Sequence, residues 1–351
     1  MTLFPLLKSP FLVQEAIISN LDPRARIFLS VTSNRVRRIV SCFKAPLSSM
    51  NINANKNGIY VEISNLKIFV EHKKLSSTNP LIWNIDGIRT AVNLNFYFRD
   101  KVRISAQAES QVLKTLGIVV RHLTNIFNDK MVNLNSNTVV KYIEFSNELR
   151  FIDRFHEVRI GTNTERAHMD LEEFTFALEN ITADTLILNN KISTELMNYT
   201  YQKKHNEELN IGKLSLENVC FVDFANLPTV RNLRFEITQF TSKSKLLFDG
   251  ANTVLKSWIS GRGNQFVEFV TFRWCSREEP FDMVLHGVRT AATQLAKVQI
   301  ERIPWHFHYQ ARTVDIIRET DGLRATVTVN SHGTLMMTWT EKNLRKIGRT
   351  N

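Results

Sequence analysis

Asp184-Thr-Leu-Ile-Leu-Asn-Asn190 and Gly212-Lys-Leu-Ser-Leu-Glu-Asn218 carry one pattern twice, 28 residues apart. Leu186 matches Leu214, Leu188 matches Leu216 and Asn190 matches Asn218. Leucines at every second position belong on strands, where alternate side chains share a face. Repetition at a fixed offset predicts short parallel strands that stack their leucines inward, with the asparagine bonding the backbone where the chain turns away. Further strands are expected at 232–237 and 267–274, about 19 and 36 residues on, with helices at 168–180, 193–206 and 250–260.

The pair resembles a degenerate leucine-rich repeat, and the flanking sequence changes character on both sides of it. Downstream, Thr313 to Thr320, then Asp321-Gly322, then Leu323 to Val329 reads as a hairpin whose turn favours positive φ. Gly333 marks a second turn before Leu335 to Trp339, which completes a three-stranded antiparallel cap over 311–342, followed by a basic tail at 343–351. Upstream, Val112, Leu113, Leu116, Val119, Val120, Leu123 and Phe127 share one helix face. That helix opens a repeat-like α/β region expected over 106–310. Residues 46–105 alternate with a period near two, as in Ile59 to Ile63, Leu66 to Val70 and Val92 to Phe98, and form a β-rich connecting segment.

The first 45 residues read as three short helices. Leu12, Val13, Ala16 and Ile17 recur at helical spacing after Pro10, and Asp22-Pro23 places a capping side chain before a proline at the first helical position. Ile27 to Val31 continues the second helix, and Val36, Ile39, Val40 and Phe43 line the third. A unit this small buries little apolar surface by itself and needs a partner for the remainder. The fold expected is therefore mixed α+β or α/β, in five consecutive segments.

Composition excludes several classes. The chain has 351 residues, 43% apolar, with 12 Gly, 8 Pro and 23 Phe, which is unlike a disordered or low-complexity sequence. No apolar run approaches the ~18 residues of a membrane span, and Leu3 to Leu7 is interrupted by Pro5 and followed by Lys8 without a cleavage site. Cys42, Cys220 and Cys275 are scattered without CxxC spacing, so neither a disulfide framework nor a zinc module is expected and a reducing cytoplasmic or nuclear setting is. Asn180-Ile-Thr182 and Asn198-Tyr-Thr200 match a glycosylation acceptor that such a setting leaves unused.

The net charge is +11 and is concentrated. Residues 23–61 carry Arg24, Arg26, Arg35, Arg37, Arg38, Lys44 and Lys56, and the C-terminus carries Lys342, Arg345, Lys346 and Arg349. These clusters suit a solvated helix surface, an acidic protein partner or nucleic acid. A nucleic-acid site predicts stacking aromatics among the cations, but Phe28 and Phe43 fall on apolar helix faces, which makes nucleic acid the weaker reading.

No catalytic constellation emerges. Gly261-Arg-Gly263 is followed by Phe266 where a dinucleotide fingerprint needs a small residue, and no Walker loop is present. His306 and His308 share a strand face but lack a third ligand. Cys220 and Cys275 sit among apolar residues as inert thiols do, and adjacent Glu278 and Glu279 do not face each other. No cofactor or metal is expected, and the chain reads as non-enzymatic.

Phe4-Pro5-Leu6-Leu7, Pro10-Phe11-Leu12-Val13, Leu21-Asp22-Pro23, Phe28-Leu29-Ser30 and Ser33 to Val40 together resemble an F-box of the large nematode F-box family. Asn252, Leu255-Lys256, Trp258-Ile259 and Gly261, with Asp315 to Arg318, Asp321-Gly322, Ala325-Thr326 and Trp339, resemble the type-2 F-box-associated domain of the same family. Lys8-Ser9 and Arg24-Ala-Arg26 depart from the pairs usual there. The resemblance implies a substrate-recognition adaptor of an SCF (cullin-RING) ubiquitin ligase. On that reading Pro5, Leu6, Pro10, Phe11, Val13, Ile17 and Leu29 dock on a Skp-type linker, and residues from about 50 onward capture an unknown protein substrate. Asn252, Leu255, Lys256, Trp258, Gly261, Asp315, Arg318, Asp321, Gly322 and Trp339 are motif residues, either structural or substrate-binding. Trp305 and Trp339 are candidate exposed aromatics for substrate contact. The alternatives are a basic nucleic-acid-binding protein and a drifted family member that keeps linker contact without a target.

Overall fold

The computed structural model describes residues 6–47, 49–55, 58–72, 81–94, 100–128, 131–136, 142–161, 168–189, 191–192, 211–217, 229–236, 244–263, 265–274, 280–303 and 311–348. The chain divides into two compact units, Met1–Val158 and Arg159–Asn351. Both mix helix and sheet. No helix among the described residues is long and apolar enough to cross a membrane.

The first unit opens with α1 (Phe11–Ser19), α2 (Pro23–Ser30) and α3 (Asn34–Cys42). Local chemistry sets their starts. The Asp22 carboxylate accepts from the Ala25 N–H ahead of Pro23, and the Ser33 hydroxyl accepts from the Val36 N–H. Seven strands follow in the sheet order Val132–Ser136, Met50–Asn55, Gly58–Ile63, Leu66–Glu71, Lys101–Ser105, Ile88–Leu94, Leu81–Ile85. The first pair and the Leu66–Glu71 to Lys101–Ser105 pair are parallel; the other four are antiparallel. Ile52, Ala54, Val61, Ile63, Ile68, Val70, Val102 and Ile104 are buried, and their alternation leaves Asn51, Tyr60, Glu62, Lys67, Phe69 and Arg103 half-buried on the opposite face.

The helix α4 (Val112–Ile126) contacts α2, α3 and three strands of this sheet. The units therefore divide at Val158 rather than at the period change expected near 105, because the buried face of α4 (Leu116, Val119, Val120, Leu123) belongs with the N-terminal elements. Helix α5 (Tyr142–Glu148) crosses α4 at Gly117, where an added Cβ would lie 2.9 Å from the Glu148 carbonyl oxygen.

One buried network binds the helices to the sheet. The Asp86 N–H donates to His122 Nδ1 at 3.2 Å, so Nε2 carries the proton and donates to Ser30 Oγ at 2.9 Å, and Ser30 donates to the Ile27 carbonyl at 2.7 Å. Arg37 pairs with Asp86, and the Asn84 N–H on the end strand Leu81–Ile85 donates to the Val31 carbonyl at 2.9 Å. Burial, reinforced by Arg37 and opposed by Asp86, pulls His122 down from 6.5 to about 4. The unfolded chain binds this proton below pH 6.5 while the native chain refuses it until about pH 4. Stability from this group is thus complete above pH 6.5 and falls by roughly 3 kcal/mol as pH drops toward 4. Urea melts across that window are expected to show this slope in the parent and lose it in His122→Gln; equal slopes would refute the assignment.

In the second unit, after α6 (Leu171–Asn180), the strands Ala183–Asn189, Ile211–Glu217, Asn232–Glu236 and Phe269–Arg273 run parallel. Leu186, Leu214, Leu233 and Val270 are in register, as are Leu188, Leu216, Phe235 and Phe272, and all eight are buried. Asn190 and Asn218 lie outside the described residues, as do the helix expected at 193–206 and Cys220, Cys275, Glu278, Glu279, Trp305, His306 and His308. Helix α7 (Ser244–Ile259) packs Phe248 edge-on to Trp274 at 4.8 Å. After α8 (Phe281–Val284) and α9 (Lys297–Glu301), Arg312–Ile317, Arg324–Asn330 and Gly333–Thr338 form the antiparallel meander, and the last strand pairs with Phe269–Arg273.

The tail departs from expectation. Glu341–Lys346 forms α10, with Leu344 and Ile347 buried against Phe269, Leu335 and Met337. Its cations are engaged: Lys342 with Glu268 at 3.1 Å, Arg345 with Glu341, and Lys346 over the Phe269 ring. The run reads in sequence as no more than a basic tail because part of the surface that orders it, Glu268 and Phe269, lies some 70 residues upstream.

Candidate functional site

Two groups of residues stand out. The first is the surface of α1. Of its nine residues, Phe11, Leu12, Val13, Ala16, Ile17 and Ile18 are apolar, yet only Ile18 is buried. Phe11 is 62% exposed, Leu12 75% and Val13 39%. A helix apolar around most of its circumference is ordinarily enclosed, and covering each such side chain stabilises by about 1.5–3 kcal/mol. The expected docking residues distribute along this surface: Pro10, Phe11 and Val13 are exposed, while Leu6, Ile17 and Leu29 are half-buried. Pro5 lies outside the described residues. Leu12, at 75% the most exposed of these, was not singled out in the sequence although it follows Phe11 directly, because only burial separates the outer face of so uniformly apolar a helix from its inner one.

What fixes α1 is an unusual side chain. Arg26 is 1% exposed, and its guanidinium donates to the Ile18 carbonyl at 2.6 Å and to the Phe43 carbonyl. Both oxygens lie at helix C-termini, where the partial negative charge of the helix ends balances a cation. Burial lowers the Arg26 pKa below its ordinary value. The second basic residue of Arg24-Ala-Arg26 is therefore an internal brace.

The N-terminal basic cluster is largely spent in this way. Arg26 and Arg37 are bonded internally, Lys44 donates to the Thr124 carbonyl at 3.2 Å, and Arg24 lies 5.4 Å from the centre of the Phe28 ring. Phe28 in turn meets Trp83 edge-on. Lys56 lies outside the described residues, and Arg35 and Arg38 remain exposed on α3. Rings and cations satisfied by one another make a poor stacking platform for bases, so neither cluster favours a nucleic-acid interface.

The second group is the set of motif residues in the second unit, which the fold gathers into two joints. At the first, the Arg318 guanidinium donates to both Asp321 carboxylate oxygens, one at 2.9 Å, and to the Gln265 carbonyl at 3.2 Å, with its plane over the buried Trp258 ring. Arg318 and the Leu323 N–H hold the Asp321 carboxyl down to about 2. Gly261 ends α7 at φ +69°, and Gly322 turns the hairpin at φ +72°. The Glu319 N–H donates to the Ile259 carbonyl at 2.8 Å, which locks the helix end to the turn.

At the second joint the fully buried Asp315 accepts from Thr326 at 2.8 Å, from the Gln294 N–H at 3.1 Å and from Arg324 at 3.4 Å. Arg324 covers the Trp339 ring, and the indole N–H of Trp339 donates to Thr326 at 2.8 Å. Trp339 is half-buried here rather than an exposed aromatic. Asn252 bonds the Val284 and His286 carbonyls, Leu255 is buried, and Lys256 is exposed. Nine of these ten side chains or glycine turns thus serve contacts within the unit, Asp321 and Gly322 from exposed positions; Lys256 is exposed as well.

Among the described residues no three or more His, Cys, Asp or Glu side chains are grouped to hold a metal ion. No protein-family model, curated protein or solved structure matches the chain.

Proposed function

We propose that the chain is a substrate-recognition adaptor of a cullin-RING ubiquitin ligase, docking through its N-terminal helices on a Skp-type linker while the second unit receives the target protein. The observation that carries this reading is α1, whose Phe11, Leu12 and Val13 stay exposed, while α3 of the same helical unit exposes Arg35 and Arg38. An apolar centre with a basic rim suits an acidic partner, the rim mainly raising the encounter rate. An adaptor acts by proximity: holding a target lysine beside a charged conjugating enzyme raises its effective concentration and requires no nucleophile of its own.

The test is a binding titration of the full-length chain against a Skp-type linker, beside a variant carrying Pro10→Asp and Val13→Asp. The parent is expected to bind at micromolar concentration or tighter, and the variant to lose at least about a hundredfold, since two apolar contacts and their desolvation are removed together. A parent that stays unbound at micromolar concentration would overturn the proposal.

A further inference from the structure

The four residues ahead of α1 fold back on it, and one side chain holds them. Leu6–Lys8 makes a single 3-10 turn, closed by the Ser9 N–H donating to the Leu6 carbonyl at 3.2 Å. Gln14, on the second turn of α1, reaches back with its side-chain amide, donating to the Ser9 carbonyl at 2.8 Å and to the Leu6 carbonyl at 3.2 Å. One NH2 group with two protons meets two carbonyl oxygens, to which a carboxylate or an aliphatic side chain at this position could not donate. Pro10, with φ −55° and ψ 151°, has no N–H to donate at this bend, and its carbonyl is turned to α1, accepting from the Val13 and Gln14 N–H groups at 3.0 Å.

We infer that Gln14 is a latch that builds residues 6–9 into the α1 docking face, a positioning residue rather than a contact residue. Leu6 and Leu7, half-buried in this arrangement, then lie beside Phe11, Leu12 and Val13 as one preformed apolar surface. Ordering a four-residue arm costs conformational entropy, and an arm already folded back spares a partner that cost on binding. The binding part of this inference rests on the docking reading above; the latch itself does not.

Two readouts separate them. In the free full-length chain, hydrogen exchange at the Ser9 amide is expected to quicken about tenfold in Gln14→Ala and in Gln14→Met, while the α2 amides keep their rates. Unchanged exchange at Ser9 would overturn the latch whether or not the linker binds. Against the Skp-type linker, both variants are expected to weaken binding about tenfold in the full-length chain and by less than about twofold once residues 1–8 are removed. Equal losses in both backgrounds, or tighter binding by the apolar Gln14→Met, would make Gln14 a direct contact and overturn its positioning role. If the parent fails to bind while Ser9 exchange responds as expected, the adaptor reading falls and the latch stands.

Discussion

Arg26→Ala is expected to loosen the three-helix unit while the second unit keeps its stability. The substitution removes the donor to the Phe43 carbonyl oxygen and one of the donors to the Ile18 carbonyl oxygen, which keeps the Leu21 N–H at 3.2 Å. An acceptor left without its donor costs about 1–3 kcal/mol, and the weakened Ile18 bonding adds to it, reduced by the relief of no longer burying a cation. Within the three helices the buried apolar side chains are only Ile18, Ile27, Val31, Val36 and Val40, and of the contacts with α4 and the sheet those described engage α2 and α3. Arg26→Lys is expected to recover less than half, because an ammonium lacks the fork that spans two divergent carbonyls. Hydrogen exchange at α1 and α3, with α7 as internal reference, measures this. Protection at α1 that survives Arg26→Ala would show that packing rather than the guanidinium holds the helix.

The second large effect is expected at Gly261→Ala. The residue sits at φ +69°, where any side chain is strained by about 1–2 kcal/mol, and the new Cβ would lie 2.3, 2.9 and 3.2 Å from Cγ2, Oγ1 and Cβ of Thr320. Rotating Thr320 cannot clear a contact that includes its own Cβ, so the hairpin turn must move, and with it the Glu319 bond to Ile259. Overpacking of this kind costs a further 1–3 kcal/mol, about 2–5 in all. Thr320→Gly in the same chain is expected to return the steric part and leave the backbone part, which a double-mutant cycle on urea melts resolves. Additive effects of the two substitutions would mean that the strain lies elsewhere.

These sites show where sequence reading succeeds. The N-terminal helices, α4 and the leucine columns were legible because their signals are local: Asp22 before Pro23, the i, i+3, i+4 spacing of α4, and leucines at every second position. Met50–Asn55 and Val132–Ser136 were not, because alternating asparagine is a poor strand former. Their support is mutual and remote, since Asn133 donates to Asn51 at 2.8 Å and Asn135 to Asn53 at 3.3 Å across a parallel pair. Arg26 was read as part of a basic surface because nothing near it in sequence announces two carbonyls converging from 8 and 17 residues away. In the second unit the motif residues were legible as a set, but their pairings were not; Arg318 over Trp258 joins positions 60 apart.

The bond from the Asn84 N–H to Val31 has a bearing on misfolding. Leu81–Ile85 ends its sheet, and Leu81 and Ile82 on it are 47% and 50% exposed. An apolar end strand with open backbone groups recruits strands from other molecules, and the cap at Asn84 interrupts that row at its centre. Because the cap is the C-terminal carbonyl of α2, damage to the helical unit also unmasks an adhesive strand. Variants that weaken α2 are therefore expected to clump, and the intact helices act as the guard that keeps separate molecules of this chain from polymerising edge to edge.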